Sequence, residues 1–381
     1  MKYRLMILLA GFWFAACNQP VDVSKTVVEG KIKGMENGML RVSYVNENGY
    51  VEDTVGVKEG KFTLTLPVDF PTELTFIVSR ENFFEMWIEP GLLRLALDAN
   101  NLNDYKLQGS KTNELAIEFE KQVKTEKQQL RELSNRMQTG QLTEAEKAEV
   151  IRQYQKLNDT IVARGLRMVV THPDSYYSAF LLWNAWWGGQ SISVTEAQQY
   201  LGMFSGKVIE KSPYLRRMRL DIEGELYGRV GQKAPDFSTT DIHGNAFQLS
   251  RLFGDKCVII DFWASWCKPC RASNPHLKAL YEKYKKDGLV VVCVADNDSM
   301  LDVWKKAVID DGLEDFIHVL RGYRGMEYFF NVETDISNKY GVHSLPTKFL
   351  IDKNGVIVGR YGENGDAHEA MDVKLKEVFG Y

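Results

Sequence analysis

The sequence is short of several things, and each shortage excludes a class of protein. None of its 381 residues falls in an uninterrupted apolar run of the about 20 residues that a membrane-spanning helix needs. Neither sign of charge dominates. With 47 Lys and Arg against 51 Asp and Glu, a net charge of -4, nothing electrostatic points to nucleic acid as a partner. Histidines number only six. They are scattered, with no HExxH and no Cys/His cluster, so neither a metal site nor an organic cofactor is expected. Five cysteines are too few for a small secreted scaffold stapled by disulfides.

What is present is ordinary globular material: 44% hydrophobic and 26% charged residues, in a chain long enough for two or three domains. The cysteines are unevenly placed, with Cys17 near the start and Cys257, Cys267, Cys270 and Cys293 in the last third. Ahead of Cys17, Lys2 and Arg4 precede an apolar run from Leu5 to Ala16 that ends in small residues. That is the layout of a secretory signal. The Ala15-Ala16-Cys17 junction resembles the lipobox of bacterial lipoproteins, although Phe14 stands where that pattern usually has Leu. The resemblance implies that residues 1–16 are removed as a signal peptide. Cys17 then carries a lipid anchor, residues 17–26 form a tether, and the chain sits in the cell envelope facing the periplasm. A plain secretory signal with an incidental cysteine is the alternative.

Beyond the tether the hydrophobic period changes twice. Over residues 27–110, runs such as Leu40, Val42 and Tyr44, or Phe62, Leu64 and Leu66, alternate with polar residues. Asn37-Gly38, Asn48-Gly49 and Glu59-Gly60 punctuate them, predicting an antiparallel β-sandwich or barrel-like domain. No nucleophile or phosphate loop falls in it, so it reads as a spacer or docking domain. Over residues 111–228 the period is helical. Leu115, Phe119 and Val123 recur every fourth residue, and Val150, Tyr154, Leu157 and Ile161 form an apolar stripe behind a Thr143–Glu146 capping box. Trp183, Trp186 and Trp187 read as packing between helices, or else as a patch that contacts a peptide or membrane. From residue 229 to 381, apolar β-type runs alternate with helical stretches and close on a hairpin around Asn354-Gly355 and a final helix. This predicts an α/β domain, a mixed sheet with helices on both faces.

The chemistry concentrates in the last domain. In Asp261-Phe-Trp-Ala-Ser-Trp266-Cys267-Lys268-Pro269-Cys270, a Cys-x-x-Cys follows a buried strand and opens a helix. The first sulfur then lies where unpaired helix N–H groups and the positive end of the dipole converge, which favours the attacking thiolate. The second sulfur, one turn on, can resolve a mixed disulfide. Pro269 suits a first helical turn, where no donor is needed. Structural zinc normally wants two such pairs and only one exists. Cys257 and Cys293, inside predicted strands, read as buried apolar fillers.

DFWASWCKPC resembles thioredoxin, over about residues 231–381, and GVHSLPTKFLIDKNG resembles the segment that carries that superfamily's cis-proline. This likeness implies a thioredoxin-like fold, with Leu345 and a cis Pro346 beside the sulfurs and the backbone before the proline pairing with a substrate peptide as an added strand. The residues alone leave Pro346 open as an ordinary trans turn proline. The signal, APDF and Pro275 are similar to the membrane-tethered TlpA/ResA-like reductases, and the N-terminal sheet resembles an uncharacterised domain often fused to such modules. The implied activity is thiol–disulfide exchange with client proteins. A reductase outside the cytoplasm would draw its electrons from a membrane donor.

Two departures matter. The tethered group often has Asn where this chain has Asp261, and Glu where it has Ser273. Asp261 instead matches the buried acid of thioredoxin. At the end of a strand buried on both faces its pKa is expected to be raised, fitting it to shuttle the proton of Cys270; a buried carboxylate that merely caps the loop is the alternative. Lys268 either favours the Cys267 thiolate or is simply solvated, and Trp266 offers a flat surface beside the reactive sulfur. Two other functions stay open. A thiol peroxidase of the Pro-x-x-x-Thr/Ser-x-x-Cys type would find Ile260 and Ala264 at its pattern positions, and a docking lipoprotein would leave the dithiol vestigial.

Overall fold

Residues 25–46, 49–78, 83–102, 104–187, 191–323, 333–362 and 366–381 are described in the computed structural model. The signal, Cys17 and nearly all of the tether lie outside these residues. The N-terminal part is one eight-stranded sheet. Its strands are β1 (Thr26–Lys33), β2 (Asn37–Asn46), β3 (Gly49–Lys58), β4 (Lys61–Leu66), β5 (Thr72–Ile77), β6 (Phe83–Ile88), β7 (Gly91–Asp98) and β8 (Lys106–Gln108), in the order β6-β5-β2-β3-β4-β1-β7-β8. Alternate residues turn inward, as in β4, where Phe62, Leu64 and Leu66 are buried between exposed neighbours. The ends of the sheet approach through side chains, Phe84 packing on Tyr105 at 5.3 Å. Neighbouring strands pair antiparallel except β1 with β7, which are parallel. A period of two cannot reveal that pairing, because it reports which face a residue lies on and not strand direction.

Six helices follow: α1 (Lys111–Thr139), α2 (Glu144–Thr171), α3 (Tyr176–Trp187), α4 (Val194–Leu201), α5 (Gly206–Lys211) and α6 (Pro213–Tyr227). The Thr143 capping box opens α2 with both of its reciprocal bonds. The expected stripe on α2 is only partly buried. Val150 is enclosed while Tyr154 is exposed, because this end of α2 has only α1 to pack against. Phe119, Val123, Trp183 and Trp186 join the helical core, whereas Trp187 is half exposed. Among the described residues no helix is long and apolar enough to cross a membrane.

The C-terminal part holds β9 (Ser238–Thr240), β10 (Ala246–Gln248), β11 (Cys257–Trp263), α7 (Lys268–Tyr284), β12 (Leu289–Ala295), α8 (Leu301–Asp310), β13 (Ile317–Leu320), α9 (Ile336–Lys339), β14 (Thr347–Ile351), β15 (Ile357–Tyr361) and α10 (Asp366–Phe379). Its five-stranded sheet runs β13-β12-β11-β14-β15, with parallel pairs around β12 and antiparallel pairs around β14. Every residue of β11 is buried, because both faces of the sheet are covered. Cys257, Ile259 and Trp263 join the core of α7, α8 and α10; Val258, Ile260 and Phe262 join the core on the other face with Ile336 and Tyr340 of α9 and its end. The helix of the Cys-x-x-Cys segment begins at Lys268 and carries Pro275 inside it.

The helical and C-terminal parts meet closely along α6. A Cβ on Gly224 would collide with the Asn338 carbonyl oxygen, and one on Gly228 with that of Tyr340. Only glycine lets the α6 backbone settle this near the α9 segment.

Candidate active site

Cys267 is the N-cap residue of α7, and the Cys270 N–H donates to its sulfur at 3.3 Å. The helix end thus points an unshared donor and its dipole at the first sulfur, the arrangement that favours a thiolate. Cys267 and Cys270 form a disulfide with their Cα atoms 5.3 Å apart. Cys270 is fully buried and Cys267 only slightly exposed, while the preceding Trp266 is 57% exposed. The Trp266 indole Nε1 donates to the Asp296 carbonyl oxygen at 3.2 Å, and the preceding turn is pinned where the Ser265 N–H donates to Asn297 Oδ1 at 2.8 Å. Arg271, next to Cys270, forms a two-pronged ion pair with Asp311 at 2.6 and 2.9 Å, and Asn274 Nδ2 donates to the same carboxylate. These bonds tie α7 to the end of α8. The Arg271 guanidinium hydrogen-bonded to Asp311 holds that carboxyl below its usual range.

The Leu345–Pro346 bond is cis. Among the described residues neither the N–H nor the C=O of Leu345 takes part in a backbone hydrogen bond. Leu345 and Trp266 line one cleft, so the flat indole that precedes Cys267 and the residue that precedes the cis-proline share a single opening.

Asp261 lies in β11 on the face that α7 covers, two residues before Trp263 and paired in register with Cys293 on one side and Lys348 on the other. The sequence reading left it alone among apolar residues. The structure gives it a partner that the reading missed. Lys348 Nζ lies 2.9 Å from Asp261 Oδ1, the two side chains 6% and 2% exposed. The same Nζ donates to Ser273 Oγ at 3.1 Å, and Ser273 Oγ donates to the Cys270 carbonyl oxygen at 2.8 Å. The contact at Asp261 Oδ1 is ionic rather than a well-aligned hydrogen bond. The reading from burial alone did not count this lysine. The visible signal was a lysine two residues after Pro346 in an otherwise apolar strand.

Cys257 and Cys293 are buried in the sheet. Desolvation raises both thiols' pKa values, that of Cys293 strongly and with Asp261 adding to the effect, which keeps them protonated and inert. Ile260 and Ala264, where a peroxidase pattern needs Pro and Thr or Ser, are wholly buried apolar side chains. Lys268 opens α7 between the sulfurs.

Residues 230–360 match the AhpC/TSA family, and residues 26–116 match a domain of unknown function, DUF4369. The chain is 35% identical over 151 residues to the thiol-disulfide oxidoreductase ResA of Bacillus anthracis, an alignment that covers 39% of this chain and 79% of that one. It is 38% identical over 130 residues to ResA of Geobacillus kaustophilus, covering 34% and 66%. Among solved structures, a thiol-disulfide oxidoreductase from Bacteroides fragilis matches at 28% identity and a TM-score of 0.31, covering 38% of this chain and 98% of that one.

Proposed function

We infer the function from one premise: the chain belongs, through its C-terminal part, to the ResA-type thiol-disulfide oxidoreductases. Within that family we propose that it is a reductase of client-protein disulfides, tethered by a lipid on Cys17 and facing the periplasm, and supplied with electrons by a membrane dithiol donor. One observation carries the reading: the Cys267–Cys270 pair at the N-terminus of α7, opening beside the exposed Trp266 and the Leu345–Pro346 segment.

In the reduced protein the Cys267 thiolate attacks a client disulfide. A mixed disulfide forms, and the first client sulfur leaves as a thiolate and takes a proton from water. Cys270 then loses its proton, which passes to Asp261 along the side held by Ser273 and Lys348. Its sulfur attacks Sγ of Cys267, and the second client thiolate departs and is protonated in turn. Two electrons have moved to the client and the pair ends as a disulfide, to be reduced again by the donor. Trp266 and Leu345–Pro346 hold the client segment against the sulfurs.

Insulin reduction by the purified chain, with Cys267→Ser beside it, tests the chemistry; parental activity in the variant would place the reaction elsewhere. The equilibrium reduction potential tests the direction. A value near about -270 mV fits a reductase and one near about -120 mV an oxidant. Labelling of cells with radioactive palmitate, lost in Cys17→Ser, tests the anchor.

A further inference from the structure

We propose that the helical region supplies the second wall of the client groove and selects clients carrying a large uncharged aromatic or aliphatic residue close to the reactive cysteine. This rests on the oxidoreductase reading above and deepens it. The cleft at the active site, of about 610 Å³, is not built by the C-terminal domain alone. Trp186 and Trp187 at the end of α3 and Arg217 and Asp221 of α6 face Trp266 and Leu345 across it.

The wall is held firmly. Trp187 stacks on Trp183 with ring centroids 5.2 Å apart, and the Arg217 guanidinium lies 5.5 Å from the Trp187 ring centroid. Arg217 is fixed in turn by an ion pair with Asp221 at 2.8 Å, almost wholly buried. Gly224 of the same helix seats α6 against α9, and Glu225 binds His343 across the junction at 2.8 Å. Trp187 nevertheless remains 50% exposed and Trp266 57% exposed. Two indoles from different parts of the chain thus present themselves to one opening, beside the Leu345 backbone groups that would pair with an added strand.

Charge decides what fits between them. Arg217 is matched by Asp221, Arg321 by Asp296 and Asp335, and His343 by Glu225. These side chains of the cleft therefore already have acidic partners, Asp221 and Asp296 in the lining and Asp335 and Glu225 outside it. A charged client residue would lose water there and meet side chains that already have ionic partners, whereas an indole, phenyl or branched aliphatic group would gain contact with two aromatic surfaces. Continuity with the cis-proline segment makes the occupant an extended polypeptide segment.

The test uses the pre-reduced full chain and three glutathionylated nonapeptides that differ only in having Trp, Gly or Asp two residues from the cysteine. The expected kcat/KM for the Trp peptide exceeds that for Gly by about tenfold, the size of one good aromatic contact, with Asp at or below Gly. In Trp187→Ala the Trp-to-Gly ratio falls to about two or less, and in Trp187→Phe most of it returns, which a merely unfolded wall would not allow. Equal turnover of Trp and Gly peptides by the parent, a preference for Asp, or an unchanged ratio in Trp187→Ala overturns the cleft proposal while leaving the oxidoreductase intact. Turnover of none of the three peptides overturns both.

Discussion

Replacing Lys348 by Met removes one half of a buried ion pair while keeping the length of the side chain. Charges 2.9 Å apart attract by about 6 kcal/mol at an effective dielectric constant of about 20. The cost of taking both ions out of water offsets much of that attraction, so the pair as a whole contributes little net stability. Breaking it is another matter: an unmatched buried charge costs about 3–5 kcal/mol. Lys348→Met should therefore destabilise the C-terminal domain by about 3–5 kcal/mol at pH 7, whereas Asp261→Leu combined with Lys348→Met should return to within about 1 kcal/mol of the parent. Urea unfolding of the oxidised chain, followed by tryptophan fluorescence, reads both values, provided that the slope of the transition is unchanged. A Lys348→Met chain within about 1 kcal/mol of the parent, or a double variant no better than the single, would refute the idea that Asp261 and Lys348 depend on each other as a buried pair.

Three further outcomes follow from the same geometry. Asp311 has a lowered pKa because of Arg271, so its stabilising effect is present above the ordinary aspartate range and disappears as pH falls through the lowered value. Asp311→Asn should cost roughly 1–2 kcal/mol at pH 7, and the parent and variant urea midpoints should converge in strong acid; a gap that persists there would contradict the assignment. Iodoacetamide at pH 8 should label Cys267 in the reduced folded chain and leave Cys257 and Cys293 untouched, since burial raises the pKa values of the latter two; peptide mapping that finds early label on either sheet cysteine would show that the strands open. Lys268→Gly should shift the reduction potential to a more negative value by no more than about 20 mV, the scale of one exposed charge, and an unmoved potential would make Lys268 a simple solvated side chain.

The two ends of the chemistry were differently legible in the sequence. Cys267 and Cys270 announce themselves because local spacing alone fixes their relation on a helix. The strands β11 and β12 do so because a sheet covered on both faces demands nearly continuous apolar residues. Lys348 did not, since its meaning depends on register: only the antiparallel pairing of β14 with β11 sets it opposite Asp261. β13 escaped notice because four residues carry too little period to distinguish strand from loop. The tryptophans of α3 were readable as core or as contact patch, and they divide: Trp183 and Trp186 are buried while Trp187 is half exposed. No helical period could foresee that α3 and α6 would share a cleft with Trp266 and Leu345. That depends on Gly224 and Gly228 meeting the backbone of another domain, a long-range fit that is silent in a single sequence.

That glycine seam has a mechanical consequence. It brings the helical arm and the catalytic head into backbone contact, which opposes the free swing that a head on a loose string would have. Range of motion must then come from whatever joins the body to its surroundings, and selectivity from the shape of a fixed jaw. A single methyl group at position 224, pressed against the Asn338 backbone, would wedge that jaw into a new angle and change which polypeptides are served.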